Sequence, residues 1–185
     1  MKILVAEDDF MLADFLEEAL VEQGHDVCGV ASNVRDAVEL VRSRRPEVIV
    51  LDLQLGDNEL GTDIVDQLMM LGDLGAIGVL YVSGDADRIR RDAPLGHACL
   101  NKPYSLDALE AALEIVLNIA RGSTIAHVLP HGMELLPQGQ VDAARLARRF
   151  PGRDHTVNGN AMDGSDVHLH NAAHPPASSW RRAVA

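Results

Sequence analysis

Acidic, hydroxyl and basic side chains recur in this chain at points where a short apolar run ends. The run Val48–Leu51, for example, leads directly into an acid and then into a turn rich in Gly, Asp and Asn. Short apolar runs of this kind are typical of strands that are buried on both faces of a parallel sheet. Because parallel strands end at one edge of such a sheet, we expect the residues that follow them to lie together. These residues are Glu7, Asp8, Asp52, Ser83 and Lys102.

Three carboxylates beside an ammonium and a hydroxyl indicate a particular chemistry. Like charges held close together destabilise a fold unless a cation enters between them. Carboxylate oxygens suit Mg²⁺, whose octahedron is then completed by water. A Mg²⁺ next to a carboxylate, with a lysine and a hydroxyl nearby, is suited to phosphoryl transfer onto that carboxylate. The residues therefore predict a Mg²⁺ site at which Asp52 carries the function.

Strands and helices that position these side chains alternate along residues 1–121. Asn33, Thr62 and Ser105 are predicted N-caps of amphipathic helices, whereas 85–92, which precedes Pro94, is long enough only for a helix of two turns. Five strand–helix units predict an α/β fold with a doubly wound, five-stranded parallel sheet. The predicted strands are 2–6, 26–31, 48–52, 77–82 and 98–100.

The composition changes near residue 122. Residues 1–121 hold 10 basic and 23 acidic side chains, a net charge of −13, whereas residues 122–185 hold 6 and 5, a net charge of +1. The second region has scattered Pro, Gly, His and Asn and no sustained periodicity, which is typical of disorder. We therefore predict a domain at 1–121 and a largely disordered tail at 122–185, with a possible short helix at 141–150.

Charge and composition argue against several classes of protein. The net charge of −12 disfavours general nucleic-acid binding, because affinity for phosphates needs a basic surface. Cys28 and Cys99 lack CxxC spacing, so neither a disulfide framework nor a zinc site is expected. No GxGxxG or GxxxxGKS motif is present. Without a signal peptide or a membrane-spanning apolar run, we expect a cytoplasmic protein that does not bind membranes.

Residues 1–121 resemble the receiver domain of two-component response regulators, in a stand-alone form. Four segments carry this resemblance, in order and about evenly spaced: ILVAEDD, VIVLDLQLGD, YVSG and NKPYSLDAL. The resemblance implies a flavodoxin-like receiver fold and a role in a phosphorelay. It also implies a phosphoryl donor, which would be a histidine kinase or a histidine phosphotransfer protein.

The same resemblance implies roles for the residues around the acceptor. Asp52 is the phosphoacceptor that attacks the phosphoryl group, and it is one of the Mg²⁺ ligands. Asp8 binds Mg²⁺ directly, and Glu7 binds it through water. Gln54 contributes its backbone carbonyl to the metal, so the nature of its side chain matters little.

The resemblance also implies how the phosphoryl group is held, and this chain departs from the family in two places, at Cys99 and in the short segment between Ser83 and Lys102, which contains Pro94. Ser83 is the hydroxyl that follows the phosphoryl group. Lys102 pairs with a phosphoryl oxygen, and its bond to Pro103 is expected to be cis, a form that only proline adopts at low cost. The family usually has an aromatic residue three positions before this lysine, where this chain has Cys99. We therefore do not extend the family's aromatic switch to this chain.

Three hypotheses for the function follow. In the first, phosphorylation of Asp52 changes a surface that engages or releases an unknown protein target. In the second, the protein is a phosphate sink that drains a shared kinase. In the third, it is a protein-binding module that does not use phosphate, a reading that the complete residue set disfavours. None is a turnover enzyme, although the receiver would catalyse its own phosphotransfer and dephosphorylation. The tail shows no helix-turn-helix pattern, so DNA-binding output is not expected, and homodimerisation stays open.

Overall fold

A computed structural model describes residues 1–85, 95–123 and 128–137. Within these ranges, strands and helices alternate as predicted, and a 3₁₀ turn at Gly56–Asn58 follows the third strand. The strands are β1 (Lys2–Ala6), β2 (Asp26–Ala31), β3 (Val48–Asp52), β4 (Gly78–Ser83), β5 (Ala98–Asn101) and β6 (Met133–Leu135). The helices are α1 (Phe10–Glu22), α2 (Val34–Arg44), α3 (Gly61–Leu71) and α4 (Leu106–Ala120).

The strands form one sheet in the order β2-β1-β3-β4-β5-β6. Strands β1 to β5 pair in parallel, which confirms the predicted doubly wound arrangement. The strand order reverses at β1, which lies between β2 and β3. In open α/β sheets, the crevice outside the carboxyl ends of the strands at such a reversal is where ligands bind.

Apolar residues cover both faces of the sheet. On one face, Leu4, Ile49 and Leu51 pack with the buried sides of α2 and α3. On the other face, alternate residues of the same strands, among them Ile3 and Val50, pack with α1 and α4. This burial on both faces explains why β3 reads as an unbroken apolar run.

Side-chain caps fix where three of the helices begin. The carboxylate of Asp9 accepts hydrogen bonds from the amides of residues 11 and 12 at the start of α1. Asn33 caps α2 and Ser105 caps α4, as predicted. The predicted cap at Thr62 is wrong, because α3 begins two residues earlier than that cap implies and Leu60 is at its N-cap position.

The sheet has one strand more than predicted. Strand β6 pairs antiparallel with β5, in a segment that was predicted to belong to a disordered tail. It was missed because three residues are too few to show a period of two. In the part of the chain that the structure describes, the predicted five strands are therefore corrected to six, and Met133–Leu135 belongs to the sheet. The helix predicted at 141–150 lies outside the described residues, as does all of 85–92 except Asp85.

The helices that can be described give no sign of a membrane span. None of them combines the length and the apolar character that crossing a bilayer requires.

Candidate functional site

The carboxyl ends of the central strands meet at one edge of the sheet and surround a cleft of about 400 Å³. Of the six predicted site residues, all but Glu7 line this cleft. The five that line it are Asp8, Asp52, Gln54, Ser83 and Lys102. The expectation that residues from separate strand ends converge is therefore confirmed by their placement.

Asp52 is held at the end of β3 by two different donors. One carboxylate oxygen, Oδ1, accepts a hydrogen bond from the backbone amide of Gln54 at 3.0 Å. The other, Oδ2, lies 2.5 Å from Nζ of Lys102. The preceding residues of β3 are fully buried, so the strand itself cannot shift easily. The carboxylate is thus fixed in orientation while it still faces the cleft.

Lys102 links two carboxylates beneath the cleft. Its Nζ lies 2.5 Å from Oδ2 of Asp52 and 3.1 Å from Oε2 of Glu7, and the Glu7 residue is only 5% exposed. The backbone amide of Lys102 donates to the carbonyl of Ser83 at 2.8 Å. The peptide bond to Pro103 is cis, as predicted. The lysine is therefore anchored both through its side chain and through its backbone.

Burial and neighbouring charge change the ionisation of this group of residues. The pKa of Glu7 is raised to about 7, mainly by burial and also by the charge of Asp52, while the charge and hydrogen bond of Lys102 oppose the shift. For Lys102, burial lowers the pKa, but the hydrogen bond and charge of Asp52 and the contact with Glu7 outweigh it, so the pKa is raised. The lysine thus stays protonated, and it faces two carboxylates that it cannot fully neutralise.

The oxygen atoms around the cleft fit a hard divalent cation. Two carboxylates, Asp8 and Asp52, line it together with Gln54, which offers oxygen ligands of the kind that Mg²⁺ prefers when water fills its remaining positions. In the described part of the chain, no three Asp, Glu, His or Cys side chains are grouped closely enough to hold a metal by themselves. The Glu7 carboxylate accepts hydrogen bonds from Lys102 at Oε2 and from the amide of Asp9 at Oε1, and its water-mediated role at the metal stays a prediction.

Ser83 stands at the end of β4 and is 5% exposed. Its Oγ accepts a hydrogen bond from the amide of Asp85 at 3.0 Å. The hydroxyl is therefore oriented by the turn that follows the strand, on the side of the cleft across from Asp8. Ser83 and Asp52 both line the cleft.

Gly61 is a site residue that sequence reasoning missed. A Cβ atom at this position would lie closer than 3.0 Å to the carbonyl oxygen of Asp52 and 3.2 Å from its carbonyl carbon. The amide of Gly61 also donates to the carbonyl of Leu53 at 3.0 Å. The start of α3 therefore packs directly against the backbone of Asp52. A single glycine at the end of a loop carries no sequence signal for such an approach.

An exposed apolar surface lies next to the cleft at the start of α1. Phe10 and Met11 are 77% and 74% exposed, and Phe15 is 53% exposed. These residues follow Asp8 and the capping residue Asp9 directly. Met11 and Phe15 are four residues apart and therefore share a helix face. The arrangement provides an apolar contact surface beside the carboxylates.

Cys99, at the position where an aromatic residue was expected from the resemblance, is buried and lies in register with Tyr81 of β4. Both belong to the apolar cluster on the α2–α3 face of the sheet. The aromatic ring of this region is thus supplied by the neighbouring strand.

Comparison with known proteins gives concordant matches. The family model of the response regulator receiver domain matches residues 3–114. The transcriptional regulatory protein PdtaR of Mycobacterium tuberculosis is 28% identical over 184 residues, which cover 99% of this chain and 87% of that protein. A signal receiver domain of a modulated diguanylate cyclase from Desulfovibrio desulfuricans G20 is 26% identical with a TM-score of 0.54, and the match covers 65% of this chain and 95% of that one. A mutant of the anti-anti-sigma factor PhyR from Bartonella quintana is 25% identical with a TM-score of 0.57, over 66% of this chain and 50% of that one.

Proposed function

The chain belongs to the family of response regulator receiver domains, and from this premise we propose that it accepts a phosphoryl group on Asp52 from a phosphohistidine. The donor is a histidine kinase or a histidine phosphotransfer protein. The observation that carries the proposal is the cleft in which the Asp52 carboxylate is held between the amide of Gln54 and the ammonium of Lys102. Receiver domains are signalling modules rather than turnover enzymes, and the site is proposed to work once per signal.

The transfer itself needs little from the protein beyond placement and charge. The phosphorus–nitrogen bond of the phosphohistidine breaks, and a phosphorus–oxygen bond forms to a carboxylate oxygen of Asp52. The imidazole of the donor, which carries a proton on its other ring nitrogen, takes the electrons of the broken bond and departs as a neutral ring. The carboxylate form of Asp52 can attack without giving up a proton. In such a reaction catalysis is mostly positioning and electrostatic stabilisation. Lys102, 2.5 Å from Oδ2 of Asp52, is placed to pair with an incoming phosphoryl oxygen.

The protein groups that would hold Mg²⁺ are the carboxylates of Asp8 and Asp52 and the backbone carbonyl of Gln54, with Glu7 acting through water. When bound, the ion neutralises charge on the phosphoryl oxygens. The raised pKa of Glu7 supports this assignment, because it reports an excess of negative charge and burial at the base of the cleft.

Ser83 is proposed to turn its hydroxyl toward the phosphoryl group after transfer. The hydroxyl would then leave the amide of Asp85, to which it is now bonded, and donate to a phosphoryl oxygen. Because the Ser83 carbonyl accepts a hydrogen bond from the backbone amide of Lys102, a displacement of either residue would also displace the other. Such a local change can bias a protein between two packed states.

The donor is proposed to dock on the exposed surface formed by Phe10, Met11 and Phe15. An apolar helical surface is well suited to pack against a helix of a partner. Its closeness in sequence to Asp8 would bring the donor histidine to the mouth of the cleft. Acidic residues on the same helix would disfavour partners with a strongly acidic surface.

Phosphorylation can be tested with a small phosphodonor. With Mg²⁺, the donor should label the wild-type chain at Asp52, and both Asp52→Asn and removal of Mg²⁺ by a chelator should abolish the label. Asp66→Asn, which removes an exposed acid of α3 outside the cleft, is the matched control and should be labelled like the wild type. A folded wild-type protein that takes no label would refute the proposal and would leave the phosphate-independent binding module as the alternative.

Beryllofluoride, a phosphoryl mimic, separates a switch from a phosphate sink. A pull-down with and without the mimic should recover a protein target in only one of the two conditions if the receiver is a switch. If the recovered proteins are the same in both conditions, while labelling is normal, the receiver acts as a sink.

Regulation of transcription is a second candidate, and one observation favours it. The match to PdtaR, which is described as a transcriptional regulatory protein, extends over 99% of this chain and so beyond the receiver region. The predicted absence of nucleic-acid binding then needs a direct test. The full chain, with and without beryllofluoride, should be titrated against labelled DNA and RNA fragments of its own genome. Sequence-selective binding would support this candidate and contradict the prediction from net charge.

A further inference from the structure

Strand β6 closes the edge of the sheet next to the phosphoacceptor site. Residues 128–137, which we name the β5 cap, bring apolar side chains to both faces of the sheet. Met133 and Leu135 are buried in the cluster with α1 and α4, whereas Leu136, only 1% exposed, is buried in the cluster on the opposite face. The cap therefore packs against both faces of the sheet at its β5 edge, although its strand is only three residues long.

The backbone of the cap is attached to both ends of β5. The amide of Asn101 donates to the carbonyl of Gly132 at 2.9 Å, and the amide of Leu136 donates to the carbonyl of His97 at 3.0 Å. The amide of Met133 closes a turn onto the carbonyl of Pro130 at 3.0 Å. Asn101 directly precedes Lys102, so the hydrogen bond to Gly132 attaches the cap one residue away from the lysine that lines the cleft.

A short path of bonds joins the cap to the acceptor. The side chain of Lys102 contacts Asp52, and its backbone amide is bonded to the carbonyl of Ser83. The next amide back along the chain, that of Asn101, is bonded to the cap. A phosphoryl group on Asp52 would compete for both the ammonium and the Ser83 hydroxyl. Lys102 would then move the end of β5 toward the cleft, whereas the hydrogen bond between Asn101 and Gly132 keeps it against the cap.

We propose that docking of the β5 cap is coupled to phosphorylation of Asp52: the cap fits β5 in the unmodified protein and loosens when the phosphoryl group is present. This inference rests on the proposed phosphoacceptor function. The contacts of Lys102 with Asp52 and Glu7 fix the position of the end of β5, and the cap packs against β5 in that position. A change in those contacts therefore lowers the affinity of β5 for the cap. By linkage, a weaker cap must in turn favour the phosphorylated state by the same factor.

Hydrogen exchange of individual amides tests the first half of the coupling. With Mg²⁺ and beryllofluoride, the amides of Asn101 and Leu136 should exchange about 5- to 150-fold faster, the usual range of coupling between two sites. The amides of Leu4 and Val5 in the central strand β1 are the internal control and should not change. Unchanged exchange at Asn101 and Leu136 in protein that binds beryllofluoride would refute the coupling.

The reciprocal effect is tested with variants of the cap. Leu136→Ala removes a buried side chain, whereas Val128→Ala changes a residue of the same segment that is 76% exposed. Leu136→Ala should bind beryllofluoride more tightly by a factor in the same range, and Val128→Ala should bind it like the wild type. Because Leu136 is a core residue, Met133→Ala serves as a second cap variant if circular dichroism shows that the first is unfolded.

The outcomes separate this inference from the function on which it rests. If the folded wild type neither takes a phosphoryl label nor binds beryllofluoride, the phosphoacceptor function and the coupling fail together. If it binds beryllofluoride normally but Leu136→Ala and Met133→Ala bind with wild-type affinity, the coupling alone is refuted. Tighter binding by the cap variants together with faster exchange in the wild type supports the coupling.

Discussion

Replacing Gly61 by alanine tests how closely α3 must approach Asp52, the proposed phosphoacceptor. The added Cβ would lie within 3.0 Å of the carbonyl oxygen of Asp52, 3.2 Å from its carbonyl carbon and 3.4 Å from Cβ of Leu51. The first two atoms are backbone atoms of β3, which pairs with β1 on one side and β4 on the other. They cannot rotate away as the tip of a side chain can. The clash therefore has to be relieved by moving the helix or the strand end.

Two opposing effects decide the size of the change. Alanine is favoured over glycine by about 1 kcal/mol in a helix interior, and by less at the first residue of a helix. Forcing an extra carbon into a well-packed region costs about 1–3 kcal/mol. We therefore expect Gly61→Ala to lower the free energy of unfolding by about 1–2 kcal/mol. A displacement of about 1 Å at the acceptor would also slow the reaction by about 100-fold.

Two measurements on Gly61→Ala test these expectations. Urea unfolding gives the loss of stability, and the rate of labelling by a small phosphodonor with Mg²⁺ gives the effect on the site. Gly29→Ala is the matched control, because its added Cβ meets the movable side chain of Leu40 at 3.1 Å, far from the cleft. If Gly61→Ala unfolds and is labelled as the wild type is, the close approach of α3 has no role in holding Asp52.

Three further predictions concern single side chains. Burial raises the pKa of Tyr81, and no hydrogen bond to its hydroxyl is seen among the described residues. Tyr81→Phe removes this buried hydroxyl and should therefore raise the free energy of unfolding by about 1 kcal/mol in urea titrations. A loss of stability would reveal a partner of the hydroxyl. Ser105→Ala removes the 3.1 Å hydrogen bond to the amide of Ala108 and should cost about 1 kcal/mol, whereas Ser105→Thr, which keeps the hydroxyl, should cost less. The pKa of Glu7 is raised, mainly by burial, from its ordinary value of 4.5 to about 7 in the folded protein. The folded state therefore binds more protons than the unfolded state between these values, so the free energy of unfolding without Mg²⁺ should fall as pH rises from 4.5 through 7. Glu7→Gln should flatten this pH dependence, and an unchanged slope would show that another group causes it.

The sheet and the convergence of the site were predictable because they depend on patterns with a clear physical cause. An apolar run such as Val48–Leu51 is stable only when both faces of its strand are covered, which requires a parallel sheet with helices on both sides. Once the strands are parallel, their ends share an edge. The placement of Asp52, Ser83 and Lys102 around one cleft follows from the topology, without knowledge of any distance.

Features that depend on three-dimensional fit were not predictable from the residues alone. Strand β6 is held by pairing with β5 and by side chains that reach both apolar clusters, and three residues carry no periodic signal. The role of Gly61 depends on the distance between α3 and β3, which a lone glycine does not reveal. The N-cap at Leu60 was missed because a side chain at the N-cap position usually accepts a hydrogen bond from the helix backbone, and leucine cannot do so. Here the backbone amide of Leu60 instead donates to the side chain of Asp63 at 3.1 Å.

The substitution at Cys99 and the added strand β6 belong to one packing arrangement. A side chain at position 96 would collide with the ring of Tyr81 and would lie 2.8 Å from Cδ1 of Leu136, so the ring extends over the start of β5 and meets the cap. A second large ring at position 99, in register with Tyr81, would compete for the same space, and a small cysteine does not. Residues 81 and 83 of β4 lie on one face because side chains alternate along a strand. If Ser83 moves toward a phosphoryl group, as proposed above, the movement takes place on the face of the sheet where the Tyr81 ring and Leu136 pack in one cluster. A readout through this cluster and the cap would not need an aromatic residue at position 99.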